Sequence, residues 1–275
     1  MGNQGEMSFL GHLEVLRKHI IRMVMAIVIF GFVAFFAKEI IFDDIIFAPK
    51  NPDFITYRAL CKVSKAINLD GEGLCITELP FTIQSRTMSG QFSTHLWSSV
   101  IFGFIIAFPY VMLELWRFIS PALYEKERKY AKSFIFVSSF LFFIGVAFGY
   151  FVIAPLSINF LGTYKISEEV LNEFDLSSYM ELVATSVLSC GIVFELPIII
   201  YFLTKIGLVN PTILRSFRKY ALILILIIAA IITPPDIASQ VIVSIPILIL
   251  YEISIFISAF VVRKQNQSTA LQKTN

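Results

Sequence analysis

The sequence predicts an all-α polytopic membrane protein, with six transmembrane helices in a curved bundle and both termini in the cytoplasm. Three observations carry this. Of 275 residues, 57% are hydrophobic and 15% charged, where a soluble domain has about 25% charged residues, and the mean hydropathy is +0.78. The apolar residues fall into six continuous runs, without the alternation of a transmembrane β-barrel. Lys and Arg collect in alternate connections between the runs.

Residues 1–19 read as a cytoplasmic amphipathic helix. Phe9, Leu10, Leu13, Leu16 and Ile20 recur at helical spacing behind Ser8, a helix N-cap, while Glu14, Arg17 and Lys18 lie on the other side. The first apolar run follows at about 20–37. It has no small-residue cleavage site and is read as a retained span, not a signal peptide.

Residues 38–92 form a long external loop, with turn signals at Pro49, Pro52, Gly71, Gly73 and Pro80. Cys61 and Cys75 lie in it, on the side where oxidising conditions permit a disulfide. Closing a loop of about 15 residues contributes roughly 3 kcal/mol in the chain-entropy model; two free thiols are the alternative. Cys190, inside the fourth run, reads as a small buried hydrophobe.

The remaining runs are 93–113, 131–153, 179–203, 220–232 and 237–262, and the membrane domain is taken as 20–262. Each needs roughly 20 residues to cross a bilayer core of about 30 Å, and helices are required because lipid cannot satisfy open backbone. The fifth run has only 13 residues, about 20 Å of helix at a rise of roughly 1.5 Å, and implies a locally thinned bilayer. An acidic external loop covers 154–178 and a short external turn 233–236. Pro109, Pro155, Pro197 and Pro246 kink the spans. Residues 263–275 form a polar tail read as disordered.

With the N-terminus inside, 15 of the 22 Lys and Arg residues fall on the cytoplasmic side, as the positive-inside rule demands. The net charge of +2 is therefore a topology signal, and no basic stripe for nucleic acid is present. No metal-binding or phosphate-binding motif occurs, and no cofactor is expected. A secondary transporter of a small solute is the alternative class, although such folds show repeats and broken helices at the midplane.

The link between spans two and three, Trp116 to Arg128, packs aromatic, turn and charged residues where a connector needs only polar filler. Ser120 followed by Pro121 reads as an N-cap and first helical residue, and Tyr124, Glu127 and Arg128 then share a face. Two readings stay open: a recognition surface, or a solvated interfacial face with Trp116, Phe118 and Tyr124 as aromatic anchors. Glu195 lies inside the fourth run, where a carboxylate costs roughly 2.5–3.5 kcal/mol at the bilayer centre and normally faces a bundle interior or wet cavity. Glu252 in span six lies nearer the cytoplasmic end. Thr233, Asp236 and Gln240 mark the outer turn, where Asp236 either caps span six or helps dock a partner helix.

His12-Leu13-Glu14-Val15-Leu16-Arg17, Trp116-Arg117-Phe118 through Pro121-Ala122-Leu123-Tyr124 to Glu127-Arg128, Phe194-Glu195-Leu196-Pro197, and Thr233-Pro234-Pro235-Asp236 with Ser239-Gln240 together resemble the TatC family. The resemblance runs from about residue 8 to 262 and is poorest over 38–92. It implies a receptor, not an enzyme. The receptor is the multispanning subunit of the twin-arginine translocase in the bacterial cytoplasmic membrane, working with TatA- and TatB-type single-span subunits and further copies of itself, and driven by the proton-motive force. Its ligands are the twin-arginine signal peptides of folded precursors.

A guanidinium fork is taken bidentately by a carboxylate. By this resemblance Glu127 is the first acceptor, Phe118, Pro121 and Tyr124 shape the site, and Glu14 with Arg17 contributes from the N-terminal helix. Relatives usually carry Glu where this chain has Val15, and moving the carboxylate to position 14 turns it by about 100° on a helix. Glu195, Thr233, Asp236 and Gln240 form the implied intramembrane partner site, with Glu195 on a concave, partly hydrated surface or in an internal hydrogen bond.

Overall fold

The computed structural model of the chain describes residues 9–66, 75–76, 78–120, 131–167, 169–233 and 237–273. In chain order the helices are α1 (Phe9–Phe36), α2 (Ile55–Ala66), α3 (Gly90–Ile119), α4 (Ala131–Phe148), α5 (Ala154–Thr163), α6 (Leu176–Val193), α7 (Leu196–Lys205), α8 (Pro211–Ser216), α9 (Arg218–Ile232) and α10 (Ile237–Lys273). Two short strands, β1 (Thr82–Gln84) and β2 (Glu173–Asp175), pair in parallel with Ile83 opposite Phe174, so the purely helical expectation misses a small sheet.

Five segments among the described residues are long and apolar enough to cross a membrane: Leu13–Phe36, Gly90–Ile119, Ser133–Thr163, Leu176–Lys205 and Ser239–Gln265. The fifth predicted run is α9, with 15 residues, still shorter than the roughly 20 that a span needs.

Several boundaries differ from the expected ones. The N-terminal helix does not stop at residue 19: α1 runs unbroken for 28 residues, because no Pro or turn signal separates the amphipathic stretch from the apolar one. Ser120 ends α3 as its C-cap, with helical φ −52° and ψ −37° and its N–H donating to the Trp116 carbonyl. The helix expected to start at Pro121 lies outside the described residues. The tail read as disordered continues α10 to Lys273. Residues 263–273 contain neither Gly nor Pro, so nothing in them stops a helix.

Span three does not end at residue 153 but continues through Pro155 to Thr163. A π-helical turn at Gly149–Ile153 widens the ladder, with the Ala154 N–H donating to the Gly149 carbonyl. Pro155 lacks the N–H that would have served the Phe151 carbonyl. The Thr56 hydroxyl, from α2, donates to that carbonyl instead. Helix α2 thus supplies the donor that Pro155 lacks.

The chain divides into two compact units, residues 1–45 with 85–140, and 46–84 with 141–275. In the first, α1 packs on α3 through small residues. A Cβ on Gly103 would lie 2.5 Å from the Gly31 backbone nitrogen and 2.6 Å from the Ile27 carbonyl, so only glycine lets these backbones approach so closely. His95 reaches across as well, stacked on Phe35 at 4.1 Å between centroids with its Nε2 2.9 Å from the Phe35 carbonyl.

In the second unit, Ile153, Cys190, Ile225, Ala229, Ile232, Val243 and Ile247 form the buried core. Gly145 and Gly149 sit where a Cβ would meet the Cys190 and Ser186 carbonyls at 2.6 and 2.5 Å. The segment that carries α2 is clamped onto the rest of this unit. Tyr57, 1% exposed, places its hydroxyl 2.9 Å from both the Pro49 and Pro155 carbonyls, and burial pushes its phenol pKa up. Cys61 and Cys75 are joined by a disulfide with Cα atoms 4.4 Å apart.

Candidate functional site

Where the first half of α1 meets the end of α3, the first unit is organised around a carboxylate absent from the expected site. Glu114, one turn before the end of α3, is fully buried. Its Oε2 lies 2.6 Å from His19 Nδ1 of α1, and its Oε1 accepts from Arg117 Nη1 at 2.6 Å. Arg22 of α1 stands 3.7 Å from Oε2. A carboxylate is stable in such a place only when charged or polar donors saturate it, and these bonds, shortened by charge, tie α1 to α3.

Phe118 belongs to the same cluster, edge-on to His19 at 6.0 Å between centroids. Trp116 is not an exposed interfacial anchor: it is 6% exposed and lies on Phe134 at 4.7 Å.

On α1, Glu14 and Arg17 are exposed, whereas Val15, Leu16 and His19 are half-buried. Among the described residues Glu14 makes a surface pair with Lys18, at 3.0 Å, on the side of α1 away from the face that His19 presents to α3. Pro121, Tyr124 and Glu127 lie outside the described residues. The structure thus brings His19 and Phe118 together and leaves Glu14 and Arg17 on the open side of the same helix.

Sequence reasoning missed His19, Arg22 and Glu114. One local signal was available: a glutamate at the end of an apolar run with an arginine three residues on, the spacing of a helical ion pair. The partner on α1 had no such signal.

In the second unit Glu195 is not in the middle of a continuous helix. The chain turns at Phe194-Glu195 between α6 and α7, with Glu195 as the N-cap residue of α7, 6% exposed. Its carbonyl accepts from the Ile198 and Ile199 N–H groups at 2.9 and 3.0 Å. Pro197 in the first turn of α7 cannot donate to the preceding helix and makes the break a natural one.

The Thr233 hydroxyl donates to the Ala229 carbonyl at 2.9 Å. The Gln240 side-chain amide donates to the Leu226 carbonyl at 3.1 Å and so ties α10 to α9. Asp236 lies outside the described residues. Thr233 lines a cavity to which Glu195 and Gln240 do not contribute. Glu252 pairs with Arg218 at 2.8 Å.

Residues 11–246 match the model of the family described as Sec-independent protein translocase protein (TatC). The chain is 45% identical over 262 residues to the Sec-independent protein translocase protein TatC of Blattabacterium sp. subsp. Periplaneta americana, covering 95% of this chain and 98% of that one. It is 32% identical over 268 residues to TatCy of Bacillus subtilis, covering 98% and 95%. The crystal structure of the twin arginine translocase receptor TatC superposes with a TM-score of 0.67 at 31% identity, covering 90% of this chain and 97% of that one.

Proposed function

Because the chain belongs to the TatC family of Sec-independent protein translocase proteins, we propose that it is the receptor subunit that binds twin-arginine signal peptides of folded precursors at the cytoplasmic face and passes them into export. The match to the family over residues 11–246 carries this reading. TatC proteins are transport proteins of the membrane, and the several long apolar helices agree with a multi-pass chain. In this reading α9 is the sixth span, both termini are cytoplasmic and the membrane is the bacterial inner membrane, as the skew of Lys and Arg supports.

Two arginines call for at least two acceptors. Glu127 is the first, framed by Phe118, Pro121 and Tyr124. Glu14 is the second, with Arg17 beside it. The exposed pair of Glu14 with Lys18 supports this role, since a flexible ammonium is readily exchanged for a bidentate guanidinium. Glu114 then acts as a positioning residue that holds α1 against α3. At the other end, Glu195, Thr233, Asp236 and Gln240 meet single-span TatA- and TatB-type partners beside the short α9, in a complex that holds further copies of this chain and uses the proton-motive force.

The test is photocrosslinking from positions 14 and 127 to a twin-arginine signal peptide and to its Lys-Lys counterpart. Crosslinks that vanish with Lys-Lys are expected. Crosslinks indifferent to the exchange, or none, would return these residues to a structural role.

A further inference from the structure

A cavity of about 360 Å³ opens in the second unit where α5, α6 and the end of α9 meet the two strands. Its wall is apolar, built from Phe81, Ile158, Leu161, Phe174, Leu182 and Ile232, and its size lies at the lower end of small-ligand pockets, about 300–1,000 Å³. Two polar groups on the wall are already committed. The Tyr179 hydroxyl donates to the Ile46 carbonyl at 2.9 Å, and the Thr233 hydroxyl donates to its own helix.

Charge enters at two points. Glu181, one and a half turns into α6, lines the cavity, is exposed and makes no ion pair among the described residues. The neighbouring acids are engaged: Glu173 accepts from Gln84 at 2.7 Å, and Asp175 caps α6 through the Ser177 N–H at 2.9 Å. The Lys50 ammonium, which is not itself a lining group, stands 5.7 Å from the centre of the Phe81 ring, and Phe81 is part of the wall. An apolar hollow with a carboxylate on its wall and an ammonium against one of its wall residues is complementary to a zwitterion on an apolar body.

We propose that this cavity binds a phosphatidylethanolamine, with an acyl chain against Ile158, Leu161 and Leu182, the lipid ammonium on Glu181 and the lipid phosphate toward Lys50. A primary ammonium can donate hydrogen bonds to Glu181, whereas the trimethylammonium of phosphatidylcholine cannot, and the headgroup of phosphatidylglycerol offers no cation. Binding at this place is independent of the signal-peptide reading.

Native mass spectrometry of the full chain, purified in detergent and offered phosphatidylethanolamine, phosphatidylcholine and phosphatidylglycerol with identical acyl chains, tests the proposal. Phosphatidylethanolamine is expected to be retained about fivefold over the other two, the size of one exposed hydrogen-bonded charge contact. Glu181→Gln should bring it down to the phosphatidylcholine level. Leu161→Trp, which fills the hollow, should lower retention of all three. Equal retention of the three lipids by the parent chain overturns the proposal, as does a Glu181→Gln chain that keeps the preference. A Leu161→Trp chain with unchanged retention also overturns it, placing the lipid elsewhere and leaving the hollow to a transmembrane peptide.

Discussion

His19 Nδ1 and Glu114 Oε2 stand 2.6 Å apart although 95 residues separate them in the chain. Glu114 also takes Arg117, so one buried carboxylate sets both the position of α1 on α3 and the direction of the guanidinium at the end of α3.

Glu114→Ala leaves His19 and Arg117 without their acceptor and is expected to cost on the order of 2 kcal/mol, the range for hydrogen bonds to charged groups. Glu114→Gln, which keeps an acceptor oxygen, should cost less. Thermal unfolding in detergent measures the loss, and limited proteolysis shows whether the start of α1 loosens. An alanine variant as stable as the parent would sink the idea of a joint.

Gly103→Ala places a methyl 2.5 Å from the Gly31 nitrogen, and backbone cannot move aside as a flexible side chain can. The two helices must separate, at roughly 1–3 kcal/mol for overpacking. Gly11→Ala is the control, since a Cβ there meets nothing within 4 Å. Equal melting temperatures for the two variants would show that α1 and α3 are not held in close backbone contact.

Reducing the Cys61–Cys75 bridge, or replacing both residues by Ser, releases a closure over 14 positions and is expected to cost the loop that carries α2 about 3 kcal/mol. Trypsin should then cut within the loop before it cuts the spans. Cleavage at the same rate with and without reductant would contradict this.

Burial raises the Tyr57 phenol above its ordinary value of 10.0, so the folded loop holds the proton more tightly than the unfolded one. Its contribution is complete below about pH 10 and declines as pH rises beyond that. Loop proteolysis should accelerate above pH 10 in the parent. In Tyr57→Phe the loop should be weaker at neutral pH, for want of the bond to Pro49 and Pro155, but lack that alkaline step. An identical alkaline step in both chains would assign it to another group.

The position of the long apolar helices is legible from residue order alone, because the cost of placing backbone and side chains in lipid is set residue by residue and sums over a local window. Residue order also carried the motifs of the family, since these are contiguous. Glu14, Arg17, Phe118 and the Phe194-to-Pro197 segment could be singled out on that basis.

The pairings between distant residues emerge only from the folded chain. Pro155 looks like a stop, yet the helix continues because Thr56, from another element, donates to the carbonyl that Pro155 leaves open. Glu114 looks like the polar end of a span until His19 meets it. Strands β1 and β2 are three residues each, too short to announce themselves, and exist because each supplies the other's backbone partners. Hydropathy is a local quantity, whereas the satisfaction of a buried polar group depends on whichever part of the chain folding brings within 3 Å of it.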